Sequence, residues 1–163
     1  MKSSFLSLVS LLNQNNLYHL LNLYKLPFYT FTYTPYKYYE LAIQKWCQSD
    51  YQIHGLWPQY DADTWPSNCP APAYQTIIDP TLLNEMNTVW HNCDSSSQDF
   101  WNHEYTKHLS CMYQQYGFTE NESFQIAINL FTNLNKSDFD KCGGEDDCIV
   151  ACYDLELNKI TCP

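Results

Sequence analysis

The sequence predicts an α+β fold, an antiparallel sheet with packed helices and disulfide staples, on three observations. Short β-prone runs stand before position 60 and again at the C-terminus. Between them, apolar residues recur at spacings of three and four. Eight cysteines are spread along 163 residues, 45% of which are apolar and 17% aromatic. That length suits one domain, and that composition supplies a core rather than a disordered chain.

The elements follow in chain order. Lys2 with the apolar run Phe5 to Leu12 has the form of an export signal, although no small-x-small cleavage site follows Asn13 to Asn16. Residues 1–37 are therefore read as a signal-like or non-domain N-terminal segment, and 38–163 as the folded domain. Tyr38 to Ile43 predicts a first strand and Tyr51 to His54 a second. Pro58 to Pro72, rich in Pro and Asp, predicts a loop. Asp79-Pro80 followed by Leu82, Leu83, Met86, Val89 and Trp90 predicts a capped helix. Ser97 to Tyr113 predicts a second helix. Glu122 to Leu134 predicts a third, with Phe124, Ile128 and Phe131 on its stripe. Gly143-Gly144 and the acids beside them interrupt the pattern. Ile149 to Tyr153 and Lys159 to Cys162 then predict two strands around a turn at Asn158.

Charge and cysteine content exclude several classes of function. All eight cations are Lys, against eighteen Asp and Glu, for a net charge of -10. Gripping long nucleic acid by counterion release needs many cations, so a basic DNA-binding surface is excluded. No apolar run approaches the roughly 20 residues that span a bilayer. An even, high cysteine count points to an oxidising, secreted or lumenal compartment. Eight cysteines allow 105 pairings, so connectivity stays open at this level. Zinc is disfavoured, because Cys148-x3-Cys152 has no second ligand pair after it.

The chemistry concentrates in two segments. Ile53-His54-Gly55-Leu56-Trp57-Pro58 is the first, and Phe100 to Cys111, containing His103, Glu104, Lys107 and His108, is the second. At roughly 100° per residue the second segment forms one broad helix face, with His103 beside Lys107 and Glu104 beside His108. Two imidazoles, an ammonium and a carboxylate suit proton transfer at an anion. A zincin helix would need the second His one residue earlier, and Lys107 would repel its metal.

Together, in this order and with Cys111 following, the two segments resemble the catalytic segments of the ribonuclease T2 family. The resemblance runs from about Tyr39 to Cys111 and resumes from Ile149 to Pro163. It implies a ribonuclease T2-like catalytic domain over 38–163 that cleaves single-stranded RNA without metal or cofactor. The expected products are a 2′,3′-cyclic phosphate and a 5′-hydroxyl, and attack by the 2′-hydroxyl would spare DNA. By the same resemblance His108 is the general base, His54 the general acid and His103 a phosphate holder. Lys107 and Glu104 are assigned to the transition state, in keeping with the value of fixed charge there. Trp57 and Trp65 stand where family aromatics stack on a base, with Gln44 and Phe100 as candidates for a second base site. Trp101 and Tyr105 read as packing, and His19 and His91 as surface residues. Cys69–Cys111 and Cys152–Cys162 are the implied bridges, and Cys47–Cys93 and Cys142–Cys148 are the pairs that remain.

Three departures from the family accompany the likeness. Leu109 replaces a customary Gly, which would matter if the backbone there took an angle or an approach closed to Leu. Gln59 stands where an Asp that contacts the base can occur, and the stretch from Cys111 to Ile149 is short. A catalytically inactive relative that binds RNA or a protein is the alternative expectation. Asn121 and Asn135 head Asn-x-Ser sequons, open to glycosylation on export. The expected protein is a monomer with no membrane or DNA partner, held in a secreted or lysosomal/vacuolar lumen and most active at mildly acid pH.

Overall fold

Alternating residues of Tyr38–Gln44 (β1) place Tyr39, Leu41 and Ile43 on one side of the strand, all buried in the core. The computed structural model describes residues 34–45, 50–93, 95–135, 140–141 and 148–163, except the side chains of 140, 141 and 148. These residues all belong to one unit, Thr34–Pro163. Among them β1 pairs antiparallel with Gln52–Gln59 (β2) on one flank and with Cys148–Tyr153 (β4) on the other. Asp140–Lys141 (β3) and Lys159–Ile160 (β5) both pair with β4, giving the order β2-β1-β4-β3 with β5 off that path.

The expected second strand, Tyr51 to His54, runs on through the His-Gly-Leu-Trp-Pro segment to Gln59. Pro58 is therefore in a strand, on the edge of the sheet where its missing N–H is tolerated. The register shifts within this pair: Ala42 faces Gly55 while Ile43 faces Ile53, which leaves His54 as the extra residue of a β-bulge. The bulge lets Ile53 and Leu56, three apart, both reach the core face opposite Ile43 and Leu41.

Four α-helices complete the described fold. Pro80–Val89 (α1) is capped by Asp79, whose carboxylate accepts from the N–H groups of Thr81 and Leu82. Ser97–Glu104 (α2) runs into a π-helical turn, Tyr105–Leu109, and then into Ser110–Tyr116 (α3). The single helix expected over Ser97 to Tyr113 is thus interrupted at its chemically richest point. Gly117, at φ 77°, ends α3 in the left-handed region that Gly enters at no steric cost. Glu120–Thr132 (α4) starts two residues before its expected boundary, because Thr119 and Glu122 close a capping box.

Trp90, Trp101, Tyr105, Met86, Met112 and Phe124 fill the core against the sheet. Trp101 and Tyr105 thus pack as expected. His91 does not lie free on the surface, since both its ring nitrogens are buried and lack hydrogen-bond partners among the described residues. His19 lies outside the described residues. Cys69–Cys111 and Cys152–Cys162 are bridged as the resemblance implied. Cys93 is also disulfide-bonded, and no described cysteine is free. Cys47 and Cys142, and with them the two remaining expected bridges, lie outside the described residues. No described helix is long and apolar enough to cross a membrane.

Candidate active site

The bulge takes His54 out of the β1–β2 register, and its carbonyl accepts the indole N–H of buried Trp90 at 2.9 Å. Its Nδ1 lies 2.9 Å from Gln44 Oε1, at the end of β1. Its Nε2 lies 3.8 Å from Glu104 Oε1, close enough for charge to be felt but too far for a hydrogen bond.

Gly55 explains how the carboxylate comes so near. A Cβ on Gly55 would sit 2.2 Å from Glu104 Oε2 and 2.3 Å from Trp57 Nε1. Only a residue without a side chain leaves room for the hydrogen bond between those atoms, Trp57 Nε1 donating to Glu104 Oε2 at 3.0 Å.

The π-helical turn sorts the four groups of the second segment. Ser110 donates its backbone N–H to the carbonyl of Tyr105, the five-residue step that marks the turn. Glu104 and His108 face inward, 2% and 5% exposed, whereas His103 is 59% exposed. The single broad face expected at 100° per residue is therefore divided into a buried pair and an outer pair. His103 Nε2 still reaches within 4.0 Å of Glu104 Oε1.

The loop after β2 holds this turn in place. Asn68, at φ 52°, donates its N–H to the carbonyl of Lys107, and Cys69 N–H donates to Ser110 Oγ. The Cys69–Cys111 bridge closes the same junction. Leu109 has φ -69° and ψ -22° and is fully buried. The residue that replaces the family's usual Gly thus sits in ordinary right-handed backbone and packs in the core.

Two hollows meet at Lys107. One, of about 230 Å³, is lined by Glu40, Trp57, Gln59, Ala62, Trp65, Lys107 and His108. The other, about 330 Å³ and more polar, is lined by Asn68, Asp99, Asn102, His103, Thr106 and Lys107. Trp57 contacts both inner imidazoles, its ring centroid 5.1 Å from His54 and 5.3 Å from His108. Trp65, half exposed, offers an open aromatic face at the first hollow.

Burial sets the protonation of the cluster. It pushes His54 down to about 4, helped by the charges of His103 and Lys107. It pushes His108 to about 3, helped by Lys107, His103 and His54. Glu104 moves the other way, to about 7, because burial outweighs the Trp57 hydrogen bond and the Lys107 charge.

Two expected base-site residues are placed differently. Gln44 is turned to His54, and Phe100 is 8% exposed with its ring 5.8 Å from the same imidazole. The largely buried Phe100 ring thus packs beside His54. Sequence reasoning missed Glu40, which lines the first hollow and accepts a hydrogen bond from Gln59 Nε2 at 2.9 Å. Burial raises its carboxyl above the usual range. The register Glu40↔Trp57 is the signal that could have found it, because cross-strand partners share a face. Among the described residues no group of three or more His, Cys, Asp or Glu is placed to hold a metal ion.

Residues 28–141 match the model of the ribonuclease T2 family. The chain belongs to the ribonuclease T2 family. It is 41% identical over 93 residues to ribonuclease 1 of Arabidopsis thaliana, a match covering 53% of this chain and 39% of that one. It is 37% identical over 88 residues to ribonuclease MC of Momordica charantia, covering 52% and 44%. The chain thus spans about two fifths of the length of these curated relatives. Among solved structures, a ribonuclease MC1 variant in complex with 5′-UMP superposes with a TM-score of 0.65 at 19% identity, covering 80% of this chain and 94% of that one. The RNase-related protein from Calystegia sepium gives 0.63 at 19% identity, covering 80% and 92%. At such identities the two structures establish the α+β fold.

Proposed function

We propose that the protein is an endoribonuclease that cleaves single-stranded RNA by transphosphorylation, without a metal ion. The observation that carries this reading is that His54 from β2 and His108 from the π-helical turn both pack their rings against Trp57, at 5.1 and 5.3 Å, with Lys107 lining the same hollow as Trp57 and His108. RNA carries its own nucleophile, so the enzyme needs a base, an acid and positive charge but no covalent residue.

In the proposed reaction the 2′-oxygen attacks phosphorus and His108 takes its proton. The bond from phosphorus to the 5′-oxygen breaks, and that oxygen takes a proton from His54. The products are a 2′,3′-cyclic phosphate and a 5′-hydroxyl. Lys107 supplies fixed charge to the phosphorane, and His103, exposed on the polar hollow, holds the phosphate. Glu104 lies between His54 and His103 and steadies both. Trp57 and Trp65 hold a base in the first hollow, where stacking offsets the scarcity of cations. The productive form pairs a protonated His54 with a neutral His108, and this places activity on the acid side of neutrality. The expected setting is an oxidising lumen or the extracellular space, with residues 38–163 as the catalytic domain and a single chain as the acting unit.

Incubating the oxidised protein with single-stranded RNA at about pH 5 in EDTA tests this reading. Cyclic-phosphate ends, with an all-deoxy strand left intact, support it. Intact RNA from folded protein would instead favour a family member that binds without cutting.

A further inference from the structure

The assignment of Gln44 follows from the bulge at His54. In a regular pair, His54 would sit opposite a β1 residue and its ring would be fixed by the pleat. Here Ala42 pairs with Gly55 and Ile43 with Ile53, so the backbone ladder does not register His54. Its carbonyl is tied to Trp90, while its ring lies against Trp57 and Phe100. What meets the ring's Nδ1 is the amide of Gln44, with Oε1 at 2.9 Å. Gln44 itself is held from both sides, paired with Gln52 of β2 and Cys148 of β4.

We infer that Gln44 is the positioning residue of His54: its side-chain carbonyl accepts the Nδ1 proton and keeps Nε2 turned toward Glu104 and the cleft. This inference rests on the ribonuclease reading for its kinetic meaning, but not for its geometry. An imidazole that gives up a proton must first carry both, and the doubly protonated ring needs an acceptor at each nitrogen. An amide turned the other way would set N–H against N–H and forbid the cation. Charges around the ring oppose that cation from the helix side, with His103 on α2 and Lys107 and His108 on the π-helical turn. Glu104 sets a carboxyl oxygen 3.8 Å from Nε2. The Gln44 carbonyl is a neutral acceptor that favours the cation at every pH.

The test has two arms. In the first, the nitrogen-15 shifts of His54 are followed through a pH titration in the wild type, Gln44→Leu and Gln44→Glu. The neutral ring is expected to carry its proton on Nδ1, with the titration midpoint lower in Q44L and higher in Q44E. A neutral ring protonated on Nε2, or midpoints unmoved in both variants, would overturn the inference. This arm needs no cleavage, so an inactive protein would sink the ribonuclease reading while leaving Gln44 decided. In the second, Gln44→Leu is assayed on a dinucleotide and on its 5′-phosphorothiolate, whose sulfur leaves without a proton. A roughly tenfold loss on the oxygen substrate should vanish on the sulfur substrate, because the defect lies in the acid. A loss of equal size on both would assign Gln44 to base binding or to packing. Should Q44L fail to fold, the wild-type tautomer and the Q44E midpoint still decide.

Discussion

His54 and His108 reach one indole, Trp57, from unlike supports. At the strand side, His54 is tied at backbone and ring by named partners, Trp90 and Gln44. At the helix side, the Nδ1 of His108 is buried with no hydrogen-bond partner among the described residues, and its ring is placed by packing on Trp57. The difference matches what each proposed proton role requires. An acid must be able to hold a second proton, so an acceptor at its far nitrogen is useful. A base must arrive without one, and an unpartnered Nδ1 in a buried site keeps the ring neutral. Burial pushes both imidazoles down, and what distinguishes them is the partner at Nδ1.

The largest effect that sharpens this comparison is removal of either ring. His54→Ala and His108→Ala should each lower kcat by about 10²–10⁴-fold, with KM changed far less. Steady-state kinetics on a dinucleotide reads this, and a loss confined to KM would break it. Next comes Lys107→Ala, expected to cost about 10²–10³-fold in kcat as its fixed charge is lost. Trp65→Ala should act on the other parameter, weakening substrate binding by about 1–3 kcal/mol while the chemical step stands.

Leu109→Ala tests the support of the helix side rather than its chemistry. A fully buried leucine deleted to alanine should destabilise the fold by about 2–5 kcal/mol, measured by urea denaturation. A variant of unchanged stability would mean that the π-helical turn does not depend on this side chain.

Glu104 gives the smallest and most diagnostic effect. Its carboxyl, raised to about 7 in the fold from 4.5, keeps a proton that the unfolded chain has already released. Folding therefore takes up a proton across that window, and this group's contribution to stability falls as pH rises from 4.5 to 7. The histidines act in the opposite sense: unfolded imidazoles bind protons first, so their contribution is lost as pH falls below 6.5. Glu104→Gln keeps the shape but removes the first effect. Its Tm deficit relative to the wild type should thus shrink between pH 4.5 and 7, and a deficit that widened would contradict the assignment.

How much of this was visible in the residues depends on the kind of information involved. The strand Tyr38–Gln44 and the Asp79-capped helix were legible because alternation, three-and-four spacing and cap chemistry are local signals. The two histidine-bearing segments were legible because their residue types are unusual together. The bulge at His54 was not, since nothing in Ile53-His54-Gly55 distinguishes a bulged from a regular pairing until the partner strand fixes the register. The π-helical turn was hidden for the same reason: a fixed 100° step cannot reveal where a helix changes its step, and the split of His103 from His108 followed unseen. Gln44 was expected at a second base site by the family resemblance, because its contact with His54 exists only across β1 and β2. His91 was expected at the surface since no motif surrounds it, yet its nitrogens are covered by tertiary packing.

The division of labour between the two imidazoles is the central claim, and a leaving-group substitution tests it most directly. Wild type, His54→Ala and His108→Ala would be compared on a dinucleotide and on its 5′-phosphorothiolate analogue in EDTA. The account predicts that sulfur restores H54A to near wild-type cleavage, since a thiolate departs without a proton, while H108A stays slow on both. Rescue of H108A instead would reverse the two roles, and rescue of neither would contradict the two-histidine mechanism.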